Sequence, residues 1–393
     1  MKVLISGMGI AGPTLAWWLE RYGFEVTLVE RSSALRAGGY MIDFWGAGFD
    51  IAERMGLMED LKKAGYVVRD VEAVDRSGNR VAGFKADAFA RIAHGRYISL
   101  PRGDLSAAIF HQIEDRVETM FGDSIERVDQ TGAGVQVSFE SGSTRQFDVV
   151  IGADGLHSRM RELVFGPETQ FERYLGYKAA AFHIAGYEPR QELDYVMYTQ
   201  VGQQVARFSM RDGRTMFLFT FTDRDPQLPG TRAEQETLLR MHFGNAGWEC
   251  PRILAGFPNV DNLYFDRVSQ IRMEGDGSWS RGRVALVGDA AFCVSLLAGQ
   301  GSARAMVAAY ILAGELHRAA GDCATAFARY QALFGPFVAA KQKAALRFAG
   351  SFAPKSSISL FVRNRIMSLL RLPGIPDLVF GRDLADRIAL PAY

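Results

Sequence analysis

At 393 residues the chain is longer than one hydrophobic core readily serves, so two closely packed domains are expected. Hydrophobic residues make up 48% and charged residues 23%, and 45 Lys plus Arg against 44 Asp plus Glu leave a formal charge of +1. That balance, with no basic block or acidic tail, gives no argument for nucleic acid or an anionic membrane as a partner, and no membrane span is expected.

The chain opens on Lys2-Val3-Leu4-Ile5-Ser6, a buried strand by pattern, then Gly7-Met8-Gly9-Ile10-Ala11-Gly12 and a helical run closing at Gly23. Gly7 permits the tight turn, Gly9 lets the backbone approach a pyrophosphate, and Gly12 lets the helix lie close to the strand. The N–H groups around Ile10 and Ala11 and the positive dipole end of the helix offer themselves to that pyrophosphate. A second strand, Glu25 to Glu30, ends in an acid about twenty residues past the motif, the spacing of a carboxylate that binds an adenosine ribose. Arg31 stands beside it. These pieces together indicate an adenine dinucleotide site without saying which dinucleotide. The glycines and Glu20 also break the apolar run that a signal peptide would need, so a cytoplasmic location is expected.

Farther on, Arg36 opens an Arg-Ala-Gly-Gly loop, and Gly46 to Ala64 has the spacing of one helix. Tyr97 to Leu100 reads as a short strand running through Pro101 and Arg102 into a helix. Gly134 to Glu140 and Arg145 to Ile151 are expected to pair as a hairpin across Ser141-Gly142-Ser143, the second strand being central. It leads into Gly152-Ala153-Asp154-Gly155, a sharp turn with Asp154 facing it. From about Arg173 the texture becomes that of an antiparallel sheet: Tyr177 to Ile184, Tyr195 to Val201, Val205 to Arg211 and Thr215 to Thr222, with Asp212-Gly213 as a hairpin turn. The α/β pattern resumes at Arg283 to Val287, followed by Gly288-Asp289 and by Gly299-Gln300-Gly301-Ser302 at the start of a helix. Helices are expected over Gln300 to Ala320, Ala324 to Ala349 and Ile358 to Leu370.

The fold class is therefore α/β, α+β overall: a Rossmann-like dinucleotide domain (1–172 and 273–355), an inserted antiparallel-sheet substrate domain (173–272), and a C-terminal helix and tail (356–393). Cys250, Cys293 and Cys323 are scattered free thiols, and the six histidines lack ligand spacing, so no metal is expected.

The N-terminal glycines, the Asp154-Gly155 stretch with Ser158 and Arg161, and Gly288-Asp289 together resemble the single-component FAD-dependent aromatic hydroxylases, related to p-hydroxybenzoate hydroxylase and the tetracycline-modifying monooxygenases. The likeness spans nearly the whole chain. It implies that Gly7, Gly9, Ile10, Ala11, Gly12, Glu30 and Arg31 hold the ADP half of FAD, and that Asp289 binds the ribityl chain. It places Arg102 beside the flavin and Arg36 near the pyrophosphate, and brings Asp154, Gly299, Gly301 and Ser302 to the cofactor. One departure is plain: where the family often has His and then two prolines, this chain has Phe292, Ser295 and Leu296. The pocket facing the flavin is then more apolar, and substrates do not carry over.

The resemblance implies FAD bound non-covalently, NADPH or NADH as transient reductant, O2, and an aromatic or polycyclic small molecule hydroxylated through a flavin C4a-hydroperoxide. The helix starting near Gly301 would aim its positive end at the anionic edge of the reduced ring. A base helps if the substrate is a phenol. His183 and Tyr198, on the inserted strands, are candidates, although both also read as ordinary sheet residues. Arg207 and Arg211 would share one strand face and orient an anionic substrate, or simply face solvent. Met216, Leu218, Thr220 and Thr222 form one face of the next strand and Phe217, Phe219 and Phe221 the other, and either face suits a pocket wall. A FAD-linked reductase of the geranylgeranyl-reductase type and a nucleotide-binding regulator without turnover are the alternatives. No Trp-x-Trp-x-Ile-Pro run supports a halogenase. Monomer and homodimer are both compatible with the sequence.

Overall fold

A computed structural model describes the chain except residues 36–38, 261, 276–277, 373 and 377–387. Its dinucleotide domain is built on a six-stranded sheet ordered Ser280–Arg281, Val284–Leu286, Val149–Gly152, Lys2–Ser6, Glu25–Glu30 and Glu118–Phe121. All neighbours run parallel except the two-residue edge strand. Strands covered by helices on both faces must be apolar throughout, which is why Val3, Leu4, Ile5 and Val149, Val150, Ile151 are all buried. Lys2–Ser6 lies between Glu25–Glu30 and Val149–Gly152, so its carboxyl end opens at the point where chain direction across the sheet reverses, the usual place for a ligand.

The expected hairpin is divided. Thr144–Phe147 pairs with Gly134–Phe139 in a separate three-stranded sheet, and after Asp148 the chain enters the parallel sheet as Val149–Gly152. The Asp148 carboxylate accepts from the Lys2 N–H at 2.7 Å, pinning the corner between the two. The single helix expected from Gly46 to Ala64 is two, Ala47–Arg54 and Met58–Ala64, broken at Gly56, whose φ of +76° ends the first.

The inserted sheet has seven strands: Tyr264–Ile271, Glu172–Ala185, Arg214–Thr222, Gln203–Ser209, Asp194–Gln200, Asp70–Val74 and Arg80–Lys85. The four expected strands are present, with Gly213 at φ +80° in the hairpin turn. Two further strands come from before residue 172, so the sheet is not confined to 173–272. Register settles its faces. Phe182, Phe217, Phe219 and Phe221 pack outward against Leu239, Phe243, Cys250 and Ile253 of the helices Arg232–Phe243 and Cys250–Ala255. Ala181, Leu218 and Tyr264 lie opposite one another on the inner face, as do His183, Met216 and Phe208. The inner face meets the dinucleotide domain through the ribbon Met41–Trp45 with Tyr97–Pro101, where Met41 packs on Phe208 and Met216.

The three late helices are Gly301–Arg318, Cys323–Phe352 and Ser357–Leu369, within a few residues of the expected spans.

Candidate active site

The glycine turn is as tight as its sequence requires. Gly7 has φ +106°, and a Cβ there would lie 2.6 Å from the Ala153 carbonyl, while one at Gly12 would lie 2.0 Å from the Gly7 carbonyl. The helix Ala11–Arg21 begins after Ile10 with no side-chain cap, so its first N–H groups are left for an anion. The Glu30 carboxylate accepts from the N–H of Met8 and of Ser32, each at 3.0 Å. Glu30 therefore also ties the glycine turn to the end of its own strand. Arg31 is exposed beyond that end, and Arg36 lies outside the described residues.

Asp154 is beside the turn through its backbone, its Cα 2.7 Å from where a Gly7 Cβ would be. Its carboxylate accepts from the Ser158 hydroxyl and from the Met160 N–H at 2.9 Å. Asp154 thereby holds the start of the helix Arg159–Val164, which Ser158 caps. Burial raises its pKa and those hydrogen bonds oppose the rise.

Gly288 has φ +68°, and a Cβ there would stand 3.0 Å from the Ala11 side chain, so the third motif lies against the first helix. A one-turn helix, Asp289–Phe292, starts directly at Asp289, nearer than the sequence suggested, with Gly288 rather than Asp289 in the cap position. Asp289 is desolvated, which raises its pKa, and the guanidinium groups of Arg102 and Arg304 lower it. Arg102 opens the helix Arg102–His111, and one of its nitrogens would be 3.3 Å from a Cβ at Gly9. Gly9, Arg102 and Asp289, 280 residues apart in sequence, thus share one wall. The helix Gly301–Arg318 completes it: its cap residue Gln300 makes no side-chain cap bond, and open space adjoins Gly299 and Gly301 while Ser302 is buried.

Facing that wall are residues the sequence did not single out. Tyr40 and the inner-face Tyr264 meet edge to face, with centroids 5.4 Å apart, and both lie within electrostatic reach of Arg102 and Cys293. Burial pushes the Tyr40 pKa up to about 12 and that of Tyr264 well above the ordinary tyrosine value, so both are neutral hydroxyls. Cys293 is buried beside Asp289, and burial keeps its thiol protonated, a poor nucleophile. Asp43, on the same ribbon as Tyr40, accepts from Tyr97 Oη at 2.6 Å and from the Ser99 hydroxyl. Tyr40 had a usable signal, since it directly follows the Arg-Ala-Gly-Gly loop. Tyr264 had none, because its strand was not recognised.

The three catalytic candidates separate. His183 is on the inner face, with its pKa lowered by burial and by Arg214. Tyr198 and Arg207 are on the outer face and do not join the site. The Tyr198 hydroxyl donates to Gln200 and accepts from the Gly247 N–H, and Arg207 pairs with Glu249 at 2.6 Å under the Trp248 ring. Alternation along an extended strand places them there, since Tyr198 and Arg207 align with the outward Phe219 and Phe217. Arg211 falls past the end of its strand, folds back over Tyr66, and does not share a face with Arg207.

The residues fit FAD. The glycine cradle, the two uncapped helix ends and the Arg102–Asp289 wall match its phosphates, ribityl hydroxyls and ring, and buried Gln300 Nε2 has no hydrogen-bond partner among the described residues. Among those residues there is also no group of side chains that would hold a metal ion, and no helix long and apolar enough to cross a membrane.

Comparison with known proteins agrees. Residues 1–326 match the family model described as FAD binding domain. An uncharacterised protein of Mycobacterium tuberculosis is 40% identical over 346 residues, covering 86% of this chain and 91% of that protein. A flavin-dependent monooxygenase from an unknown prokaryotic organism is 34% identical over 400 residues, covering 100% of this chain and 99% of the relative. The crystal structure of the tetracycline destructase Tet(51) superposes with a TM-score of 0.84 at 34% identity, over 100% of this chain and 99% of that one. The chain belongs to the FAD-binding-domain family and, within it, to the flavin-dependent monooxygenases.

Proposed function

We propose that the site formed where the Arg102–Asp289 wall meets the inner face of the seven-stranded sheet hydroxylates a fused-ring phenol. The observation that carries this reading is the meeting of Gly9, Arg102 and Asp289 with Tyr40 and Tyr264 in one buried cluster. When bound, FAD supplies two-electron reduction by NADPH or NADH and the activation of O2. The chain's own residues do the rest. Arg102 and the uncapped end of Gly301–Arg318 present fixed positive charge, and preorganised donors of this kind contribute on the order of 3 kcal/mol each where negative charge develops. The Asp289 carboxylate would accept from a hydroxyl of the bound cofactor and hold it near Arg102 and Arg304.

Tyr40, Tyr264, Leu218 and Met216 present flat, apolar surface suited to an aromatic ring. His183 is the proton acceptor we assign: it is half-buried, and its lowered pKa leaves the imidazole neutral near pH 7, able to take a phenolic proton at Nδ1 or Nε2. The resemblance to a tetracycline destructase over the whole chain favours a polycyclic phenol over a single ring.

Incubating the purified protein with NADPH, O2 and either tetracycline or simple phenols, with product masses read, tests the reading. Gain of one oxygen atom by a polycyclic phenol is expected. Gain of hydrogen without oxygen would identify a reductase instead.

A further inference from the structure

We propose that the C-terminal helix Ser357–Leu369 seats the protein on an anionic lipid surface. The near-neutral total charge conceals an uneven distribution. From Cys323 to Pro376 there is no Asp or Glu, but there are eight Lys or Arg; Asp377, Asp383 and Asp386 follow it in sequence, with Arg382 and Arg387. Bulk charge gave no argument for an anionic membrane, but it averages over this basic stretch.

The helix has two apolar sides. Met367 and Leu370 are buried against Ala73, Ala82 and Phe84 of the sheet. At about 100° per residue, Ile358, Phe361, Val362, Ile366 and Leu369 fall together on the opposite side. That side is bare: Ile358 is 77% exposed, Phe361 59% and Leu369 50%, and Leu372 just past the helix is 52% exposed. A surface helix ordinarily turns polar residues outward, and scattered single apolar residues need no explanation, but a continuous stripe does. Arg365 lies within the stripe with its guanidinium 5.0 Å over the Phe361 ring, and exposed Lys355 and Arg371 flank it.

The charge pattern selects the occupant. A two-fold contact with a second copy would set this patch against itself and bury Arg365 where the helix Ser357–Leu369 has no carboxylate to meet it. A phospholipid surface accepts a convex apolar stripe without needing a matching groove, and its phosphates pair with the arginine and lysine at the margin. No described helix is long and apolar enough to cross a bilayer, so the attachment is peripheral.

The test is flotation of the FAD-loaded protein with vesicles of phosphatidylglycerol and phosphatidylcholine, compared with phosphatidylcholine alone. Wild type should float with the anionic vesicles and be released by high salt. Arg365→Gln should weaken partitioning about fivefold, the equivalent of the roughly 1 kcal/mol contributed by each basic residue near such a surface. The Ile358→Ser/Phe361→Ser variant should stay in the pellet fraction while keeping its flavin content and NADPH oxidation, which shows that it is folded. Equal flotation with neutral vesicles, no flotation with anionic ones, or variants that float like wild type would overturn the proposal. So would stripe-dependent dimerisation in sedimentation without flotation, which would give the surface to a second copy. None of these readouts depends on the identity of the hydroxylated substrate.

Discussion

Arg161 donates to the Ala290 carbonyl at 2.9 Å, joining the turn after the central strand to the residue that follows Asp289. The same guanidinium donates to the Leu156 carbonyl at 2.7 Å and pairs with Glu168 at 2.8 Å, with no solvent access to its side chain. Two motifs 129 residues apart are thereby held as one unit, and Asp289 takes its position from that unit. Burial lowers the Arg161 pKa while Glu168 raises it, the signature of a charge kept inside by its partner.

Replacing Arg161 with Met should destabilise the protein by about 2 kcal/mol, the scale for hydrogen bonds to a charged group, because the Ala290 and Leu156 carbonyls lose their donor while Glu168 keeps His157 and Arg267. Flavin content should fall with it, because the Ala290 carbonyl loses its donor. Urea unfolding monitored with and without added FAD measures both effects.

Glu30→Ala should weaken FAD by about 2 kcal/mol, the scale for hydrogen bonds to a charged group. Because the carboxylate also accepts from the Met8 and Ser32 N–H groups, the apo protein should lose stability as well. Fluorescence titration with FAD and thermal melts of the apo form separate the two losses. An unchanged FAD affinity would remove Glu30 from the site.

Asp289→Ala should fold, hold flavin loosely, and release hydrogen peroxide in place of hydroxylated product. Its backbone is set by Gly288 and the Arg161 bond to Ala290, so loss of the carboxylate removes a tether and not the turn. Positioning errors of about 1 Å are enough to cost near-attack geometry. Comparing peroxide formed with NADPH consumed gives the coupling ratio directly.

With a phenolic substrate the rate should fall as pH drops through the lowered pKa of His183, because protonation removes the acceptor. His183→Gln should lower kcat by about a hundredfold, within the range for a lost general base, and flatten that acid limb. KM should change little. A variant that keeps the acid limb would place the titrating group elsewhere.

His157 bridges Asp266 and Glu168, which raise its pKa from 6.5 to about 9. Its folded pKa lies above the unfolded one, so the stabilisation is complete below about pH 6.5 and is lost as pH rises through about 9. Melting temperatures across that window should decline, and His157→Gln should make the decline shallower.

Local and repetitive features were legible in the sequence. The glycine turn, the strand before it, the helix after it and Glu30 are set by steric limits acting within about thirty residues. The same holds for the late helices, whose ends fell within a few residues of expectation. What the sequence misjudged depends on long-range pairing. Nothing local to Asp148 reveals that one expected strand serves two sheets, and nothing near residue 70 reveals that its strand extends a sheet built mainly after residue 172.

Tyr198 and His183 illustrate the same division. Both were read as sheet residues able to accept a proton, and strand periodicity says only that neighbours alternate, not which side is inner. Register against the phenylalanine strand turned Tyr198 outward and His183 inward. The order of residues therefore determined the fold family and the dinucleotide cradle, because those rest on backbone conformations that only certain residues allow. The wall formed by Arg102 and Asp289, the Tyr40–Tyr264 contact and the bared stripe of the last helix were decided only by tertiary packing, because each depends on segments that meet far apart in the chain or on which face of an element is left uncovered.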